Sequence, residues 1–236
     1  MCTVTYIPTP SGCLITSNRD EIITRSPAIG PKVYSPSTKE ILFPKDPQGG
    51  GSWIASGDNM SVCLLNGAFE PHERKDHYKH SRGLVPLAII EHGNVPSFVE
   101  QYDFEGIEPF TVVIYNPNGL WELIWDEERP HLFGHDPKLP GIWASTPLYS
   151  PEVRAQRKQW FSEWLDSTSD PTQESILRFH TQPSSDKENG LLIARDNGLH
   201  TVSVTSIEHQ NDQSALMCYR DLVFTDEPEL NVQLNF

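Results

Sequence analysis

Short apolar or alternating runs, separated by Pro and Gly, occupy both ends of the chain. Runs of this kind predict β-strands. In the first third the predicted strands are Thr3 to Ile7, Cys13 to Ser17, Lys32 to Tyr34, Glu40 to Phe43, Ser52 to Ala55 and Ser61 to Leu65. In the last third they are Gly190 to Ala194, Thr201 to Ile207, Ala215 to Tyr219 and Leu230 to Phe236.

The middle of the chain changes to helical spacing, with Leu84, Leu87 and Ala88 on one side of a predicted helix. The predicted helices are Ser81 to His92, Ser97 to Tyr102 with Ser97 as cap, Pro151 to about Leu165, and Pro171 to His180 with Asp170 as cap. Two further β-rich runs, Thr111 to Tyr115 and Leu120 to Trp125, predict a hairpin.

Strand-rich ends around a helical centre favour an α+β fold of two antiparallel sheets with helices outside them. The pattern contains no internal repeat and no composition break that marks a boundary. We therefore expect residues 1–236 to form a single domain.

The net charge of the chain limits the classes of binding partner that can be expected. The chain has 18 Lys and Arg against 32 Asp and Glu, a formal charge of −14 at pH 7. Such a chain repels nucleic acid and anionic lipid, so neither partner is expected.

No apolar stretch approaches the ~18 residues of a membrane span, and the N-terminus lacks the features of a signal peptide. We expect a cytoplasmic protein that does not insert into membranes.

Four cysteines are spread along the chain without a Cys-x-x-Cys pair, so neither a zinc ribbon nor a disulfide framework is indicated. Cys13, Cys63 and Cys218 fall in apolar runs and are predicted to be buried thiols. Cys2 differs because it follows Met1 directly. Removal of Met1, which a small second residue permits, gives Cys2 a free α-amine beside its thiol.

A cysteine with a free α-amine carries both a nucleophile and a base. The amine titrates near 7.7 to 8.0 and the thiol near 8.5, so both are partly deprotonated at pH 7. Pairing a nucleophile with an N-terminal amine is a known means of activation. The alternative interpretation is that a cysteine at this position is an accident of sequence.

The first two predicted strands flank a turn-forming segment centred near Pro10, so paired positions sum to about 20. Residue 2 then lies opposite Asn18. This brings Arg19 and Asp20 within reach of the thiol and the amine, where Arg⁺ favours thiolate and a carboxylate holds the amine. The alternative for these two residues is a surface ion pair of little value.

The start Met1-Cys2-Thr3 together with Asn18-Arg19-Asp20-Glu21 resembles the signature of the NRDE-motif family of transport and Golgi organisation proteins. That family in turn is similar to the N-terminal nucleophile (Ntn) hydrolases of the penicillin V acylase and bile salt hydrolase type. The resemblance implies a four-layer αββα sandwich. It also implies that Cys2 is the nucleophile, that Arg19 steers thiolate and substrate, and that Asp20, preferred over Glu21, binds the α-amine.

The same resemblance implies an oxyanion site. Asn66 follows a predicted strand at the place where the hydrolases have an Asn that donates its amide to the oxyanion. A second Asn of the hydrolases corresponds to Ser145 here, and a hydroxyl offers one donor where an amide offers two. For a late arginine of the hydrolases, Arg195 and His200 both remain candidates.

Two further segments have weaker signals. Gln48-Gly49-Gly50-Gly51-Ser52-Trp53 lacks the Lys of a phosphate-binding loop and is either a tight turn or part of the site. The segment from Pro71 to Arg82 holds His72, His77 and His80 at spacings that fit no zinc signature. We expect a solvated loop that lines the pocket mouth, with a metal site as the weaker alternative.

These features lead to one main hypothesis and one rival. The main hypothesis is an N-terminal-cysteine hydrolase that cleaves a non-peptide acyl amide through a thioester and needs no cofactor. The rival is a non-catalytic carrier or trafficking protein that holds haem or an acyl lipid in the same pocket.

Overall fold

The structure is a computed structural model that describes residues 3–210, 213–224 and 229–236. Cys2 therefore lies outside the described residues. Within these ranges the chain forms two antiparallel sheets and four α-helices, which confirms the predicted α+β class. None of the helices in the described ranges combines the length and the apolar character needed to cross a membrane.

The first sheet contains six strands among the described residues, in the order β10-β1-β2-β11-β12-β13. Their bounds are β1 Thr3–Thr9, β2 Gly12–Ile22, β10 Gly141–Ala144, β11 Leu199–Gln210, β12 Ser214–Asp221 and β13 Glu229–Asn235. The N-terminal strand β1 thus lies between β2 and β10, and it is hydrogen-bonded to both.

The second sheet has seven strands in chain order, within the same described part of the chain. Their bounds are β3 Ile29–Tyr34, β4 Ile41–Lys45, β5 Ile54–Gly57, β6 Met60–Asn66, β7 Phe110–Asn116, β8 Gly119–Trp125 and β9 Pro130–His135. The pair β7 and β8 is the predicted hairpin, with Asn116 opposite Gly119.

The main apolar core joins the two sheets, because inward residues of β1 and β2 such as Val4, Tyr6 and Ile15 pack with residues of the second sheet. The helices are α1 Val85–His92, α2 Val95–Gln101, α3 Pro151–Asp166 and α4 Gln173–His180. Helices α1 and α2 contact the second sheet, whereas α3 and α4 contact the first. Leu14, on the other face of β2, packs in a second cluster with Phe161 of α3.

The hairpin of β1 and β2 forms as predicted, but its register differs by one residue. Thr3 lies opposite Asn18 and Thr9 opposite Gly12, so paired positions sum to 21. The turn consists of Pro10 and Ser11, and its centre lies between them. When the register of a strand pair shifts by one residue, each side chain lies beside a different neighbour and on the other face of the sheet. The observed register therefore decides which side chains of β2 share a face with those at the N-terminal end of β1.

Other element boundaries were wrong for local reasons. Asn94, not Ser97, caps α2, since its side chain accepts from the Ser97 amide. Thr172 replaces Asp170 as the cap of α4 because it forms a reciprocal capping box with Ser175. The strand predicted at Gly190 to Ala194 is absent from the described structure apart from a single bridge, Ala194 to His200. The edge strands β9 and β10 were not predicted.

Candidate functional site

Arg19 lies on β2 on the face that points between the sheets. Its side chain is only 4% exposed and stacks over the Trp53 ring at 4.8 Å. The Arg19 Nη2 atom is 3.7 Å from Asp46 and 3.8 Å from Glu21, and the side chain donates no hydrogen bond to any described residue. Burial lowers the pKa of Arg19, against the opposing effect of the two carboxylates. Among the described residues, the guanidinium is thus a buried cation whose Nη2 has no hydrogen-bond partner.

Asp20 points to the opposite face of β2. Its two carboxylate oxygens accept from the Tyr149 hydroxyl at 2.7 Å and the Thr201 hydroxyl at 2.6 Å. A register shift between Thr201 and Ser203 on β11 brings Thr201 opposite Asp20. Because a carboxylate offers about four acceptor positions, Asp20 can accept further hydrogen bonds beyond these two.

Asn66 is the last residue of β6. Its backbone carbonyl and those of the next two residues each accept a hydrogen bond from a hydroxyl group. The hydroxyls of Ser145, Thr111 and Thr146 donate to the carbonyls of Asn66, Gly67 and Ala68 at 2.9, 2.9 and 2.6 Å. Gly67 has a φ of +84°, and a Cβ there would meet the Pro147 ring at 2.2 Å. The backbone at Asn66 is therefore rigid, while its side-chain amide makes no hydrogen bond within the described ranges.

The N-terminal end of β1 connects these residues. Thr3 lies between Asn18 on β2 and Ala144 on β10. The next residue on β2 is Arg19, and the residue that follows the end of β10 is Ser145, which donates to the Asn66 carbonyl. Three of the predicted site residues thus meet at the start of β1.

A buried polar network lies behind β1 and β2. Arg157 of α3 is fully buried, donates to the Thr3 hydroxyl and to the Gly190 carbonyl at 2.5 Å, and stacks on Tyr149 at 3.6 Å. No described carboxylate lies within ion-pair distance of it. Next to it, His180 of α4 contacts the Thr5 hydroxyl at 2.8 Å. These contacts fix the start of β1 against the helices.

The orientation of the His180 ring follows from its partners. The Asn18 side-chain nitrogen donates to the carbonyls of His180 and Leu191 at 3.1 and 3.0 Å, so the Asn18 oxygen accepts from His180 Nδ1. Nε2 of a neutral ring then accepts from Thr5. Burial, with the nearby charge of Arg157, lowers the pKa of His180 to about 3.

This shift predicts loss of stability in acid. Between pH 6.5 and about 3 the unfolded chain binds a proton at His180 that the folded chain does not. Stability therefore falls as pH decreases, by about 3 kcal/mol at pH 4.5 from this group. We expect the free energy of unfolding, measured with urea, to decrease less between pH 7 and pH 4.5 for His180→Gln than for the wild type. An equal loss in both proteins contradicts the assignment.

Two cavities adjoin the start of β1, and Asn66 lines both. The first, of about 590 Å³, is called here the polar cavity; its lining includes Arg19, Asp46, Asn66, Arg74 and Arg82. The second, of about 720 Å³, is called the apolar cavity. Its lining includes Leu65, Asn66, Phe133, Ile142, Trp143 and Ser145, and the charged residues Glu122, Arg154, Arg157 and Lys158 lie at its border.

The glycine-rich segment belongs to the polar cavity and also makes a tight turn. Gly49 lines the cavity, and a Cβ on Gly51 would meet the Gly83 carbonyl oxygen at 2.1 Å. Asp46, just before this segment, binds Arg25 at 2.7 Å. Burial would raise the pKa of Asp46, but Arg25 and the backbone amides of the turn hold it below its usual value. The segment is therefore a tight turn, and through Gly49 it also lines the polar cavity.

The histidine-rich loop lines the polar cavity through His77 and His80, as expected. His72 instead contacts Glu108 at 3.4 Å, and the same Glu108 binds Arg82 at 3.1 Å. Across the part of the chain that the structure describes, no three His, Cys, Asp or Glu side chains are placed to hold a metal ion.

The remaining cysteines are buried free thiols, as predicted. Burial raises the pKa of Cys63 to about 12 and that of Cys218 to about 11. Burial also raises the pKa of Cys13 well above its usual value. All three thiols are therefore protonated and poorly nucleophilic at neutral pH.

Neither late candidate lines the polar cavity or the apolar cavity. Arg195 donates to the Glu188 and Leu148 carbonyls at 2.9 and 3.1 Å. His200 lies opposite Glu21 in the sheet.

The role of Arg157 was not predicted from the sequence. Val153, Arg157 and Phe161 are four residues apart and so lie on one side of the helix, and an arginine among apolar residues on one side of a helix indicates a buried cation. The Arg25–Asp46 pair was not predicted either, and no local pattern indicates it.

The described chain is thus a mixed α and β protein whose N-terminal strand starts beside a buried arginine, an unpartnered amide and two cavities. It belongs to the Transport and Golgi organisation 2 family, whose family model matches residues 1–212. No curated protein matches the sequence significantly.

Proposed function

We propose that the protein is an Ntn-type hydrolase with a four-layer αββα sandwich, which uses Cys2 to cleave a non-peptide acyl amide. The convergence of Arg19, Ser145 and Asn66 on the start of β1 is the observation that supports this most strongly. Arg19 and Ser145 come directly after Asn18 and Ala144, the two residues that pair with Thr3.

In the proposed acylation step, the neutral α-amine of Cys2 takes the thiol proton and the thiolate attacks the amide carbonyl carbon. Asn66 donates its free side-chain amide to the oxyanion. When the tetrahedral intermediate collapses, the C–N bond breaks and the leaving nitrogen takes the proton from the α-ammonium group. A thioester to Cys2 remains.

Deacylation reverses the proton path. Water gives a proton to the α-amine and attacks the thioester carbon, then the C–S bond breaks and the sulfur regains that proton. In this proposal Arg19 favours the thiolate, and Asp20 orients the α-ammonium with its remaining acceptor positions. Because the Ser145 hydrogen already bonds the Asn66 carbonyl, Ser145 acts by positioning Asn66.

Selective alkylation tests the activated cysteine. At pH 7, a low dose of iodoacetamide is expected to label Cys2 on the order of a hundredfold faster than Cys63 or Cys218, whose thiol pKa values burial raises to about 12 and about 11. Peptide mass spectrometry after timed quenching measures the four rates. Intact mass must also show that Met1 is removed.

Three outcomes contradict this proposal. Retention of Met1 leaves Cys2 without a free amine, and equal labelling of all four cysteines shows that none is activated. An acetylated Cys2 amine has the same consequence as retained Met1, since an acetylated nitrogen cannot accept the proton.

A second candidate function is a carrier that holds a hydrophobic ligand without cleaving it. The apolar cavity supports it, because its 720 Å³ lies in the range of ligand pockets. Titration with haem or an acyl lipid separates the two functions: tight binding with no turnover of any acyl amide favours the carrier.

A further inference from the structure

Helices α3 and α4 line a third cavity, which lies outside the candidate site. This cavity, of about 450 Å³, is called here the aromatic groove; its lining includes Trp160, Glu163, Trp164, Phe179 and Leu191. Among the described residues it shares no lining residue with the polar cavity or the apolar cavity. Its volume is in the range of small-molecule sites. An occupant of the groove therefore binds apart from the residues of the proposed hydrolysis.

The rings of the aromatic groove are held in place by the core beneath them. The Trp164 ring lies 6.1 Å from the Phe161 ring and 5.3 Å from the Phe179 ring. Phe161 and Phe179 are both buried, whereas Trp160 and Trp164 are partly exposed. Because Trp160 and Trp164 are four residues apart on α3, they lie on the same side of the helix. The two indoles thus present a supported, partly exposed aromatic surface to the groove.

The charge of the aromatic groove is opposite in sign to that of the cations in the other two cavities. Within the described residues, Glu163 is the one charged residue of its lining, whereas Arg and Lys line both other cavities. Glu163 is exposed, its Oε1 accepts from Gln159 at 2.8 Å, and no described cation pairs with it. An aromatic ring attracts a cation to its face, and a Trp ring does so most strongly. Two indoles beside an unpaired carboxylate therefore favour a cationic ligand.

The net charge of the whole chain acts in the same direction. With 18 Lys and Arg against 32 Asp and Glu, the formal charge is −14 at pH 7. A field of this sign raises the concentration of cations near the surface. Arg178, beside the groove on α4, is paired with Glu174 at 2.9 Å, which offsets its repulsion of a cation.

We propose that the aromatic groove binds a small, free organic cation with a quaternary ammonium head group. The head group lies against the Trp160 and Trp164 rings, and Glu163 at the edge of the groove adds electrostatic attraction. A quaternary group fits better than a primary one, because it has no N–H donors to satisfy and its methyl groups can be buried against the rings. This inference goes beyond the proposed hydrolase function and does not depend on it.

Two probes of the same shape test the requirement for charge. Choline and 3,3-dimethylbutan-1-ol differ in that a quaternary nitrogen replaces a quaternary carbon. We expect the Kd of choline to be at least about fivefold lower, because the neutral alcohol has no cation–π attraction. Proton NMR titration of the methyl resonances measures both. Equal Kd values, or no saturable binding of choline, overturn the inference.

Fluorine NMR tests the location of the ligand. The chain has six Trp residues, and labelling with 5-fluorotryptophan gives each a resonance. Trp160→Phe and Trp164→Phe assign two of these. Choline is expected to shift both and to leave the resonance of Trp143, in the apolar cavity, unchanged. A shift at Trp143 alone places the ligand in the apolar cavity and overturns the inference.

Two glutamate variants test the contribution of the carboxylate. Glu163→Gln and Glu152→Gln each remove one exposed carboxylate from α3, but only Glu163 lines the groove. We expect Glu163→Gln to raise the Kd of choline about twofold to threefold, as for an exposed ion pair, and to leave that of the neutral alcohol unchanged. Glu152→Gln should change neither. Equal effects of the two variants contradict the role of Glu163.

A peptide probe distinguishes a free ligand from a protein partner. Trimethyllysine in a short neutral peptide carries the same head group as choline, so we expect its Kd to lie within about tenfold of that of choline. A peptide that binds more tightly than this assigns the groove to a protein partner and overturns the proposal of a free ligand.

Discussion

Replacing Cys2 by Ala is expected to abolish amide hydrolysis without changing the fold. The substitution removes the sulfur that forms the thioester but keeps a small second residue, so Met1 is still removed and the α-amine remains. Loss of a nucleophile lowers kcat by at least about 10⁴-fold in enzymes of this kind of mechanism. Steady-state assays of the N-acyl amide panel, with thermal unfolding of both proteins, measure the effect.

The matched control is Cys218→Ala. Cys218 is buried, and burial raises the pKa of its thiol to about 11. It packs with Leu177 and Val204, away from both cavities. This variant should lose some stability through the cavity that it creates, while kcat stays within about twofold of the wild type. Activity of Cys2→Ala within tenfold of the wild type rejects Cys2 as the nucleophile.

Much of the fold was predictable because its elements have strong local signals. The β7 and β8 hairpin has β-rich runs around Asn116 to Gly119, and α3 starts at Pro151 in a regular apolar pattern. Both were found close to their observed bounds. The edge strands β9 and β10 were missed because partly exposed strands such as Pro130–His135 have no continuous apolar run.

For the candidate site, the sequence predicts a set of residues, of which Arg19, Asn66 and Ser145 lie near one another, but it does not predict their geometry. A two-residue turn at Pro10 and Ser11 shifts the β1 register by one, and that shift decides which residue opposes each position. No local pattern distinguishes this turn from one centred on Pro10. Arg19 and Asp20 were expected to act side by side, yet adjacent residues of a strand face opposite ways.

The hydrogen bonds that hold the candidate site residues in place join residues that are far apart in the sequence. Ser145 bonds the Asn66 carbonyl across 79 positions, and Thr201 bonds Asp20 across 181. Hydroxyls in strands are too common for their sequence positions to identify such partners. The two cavities are likewise properties of the packed sheets, since each is lined from several separate elements.

Replacing Asn66 by Ala is expected to lower kcat by about 10² to 10³, which corresponds to about 2.7 to 4 kcal/mol of transition-state stabilisation. The side-chain amide donates no hydrogen bond to a described residue, whereas the Ser145 hydroxyl holds the Asn66 backbone carbonyl. The substitution should therefore remove an oxyanion donor and leave the support of the backbone in place. We expect a change in Tm of only a few degrees and a small change in KM.

Two further variants make this prediction specific. Asn66→Asp keeps the size of the side chain but replaces the donor by acceptors, so its kcat should fall at least as far as that of Asn66→Ala. Asn118→Ala, at an exposed asparagine in the β7–β8 turn, should leave kcat unchanged. Because Asp is nearly isosteric with Asn, a packing role for Asn66 predicts near-normal kcat in Asn66→Asp, and that result would assign the oxyanion to other donors.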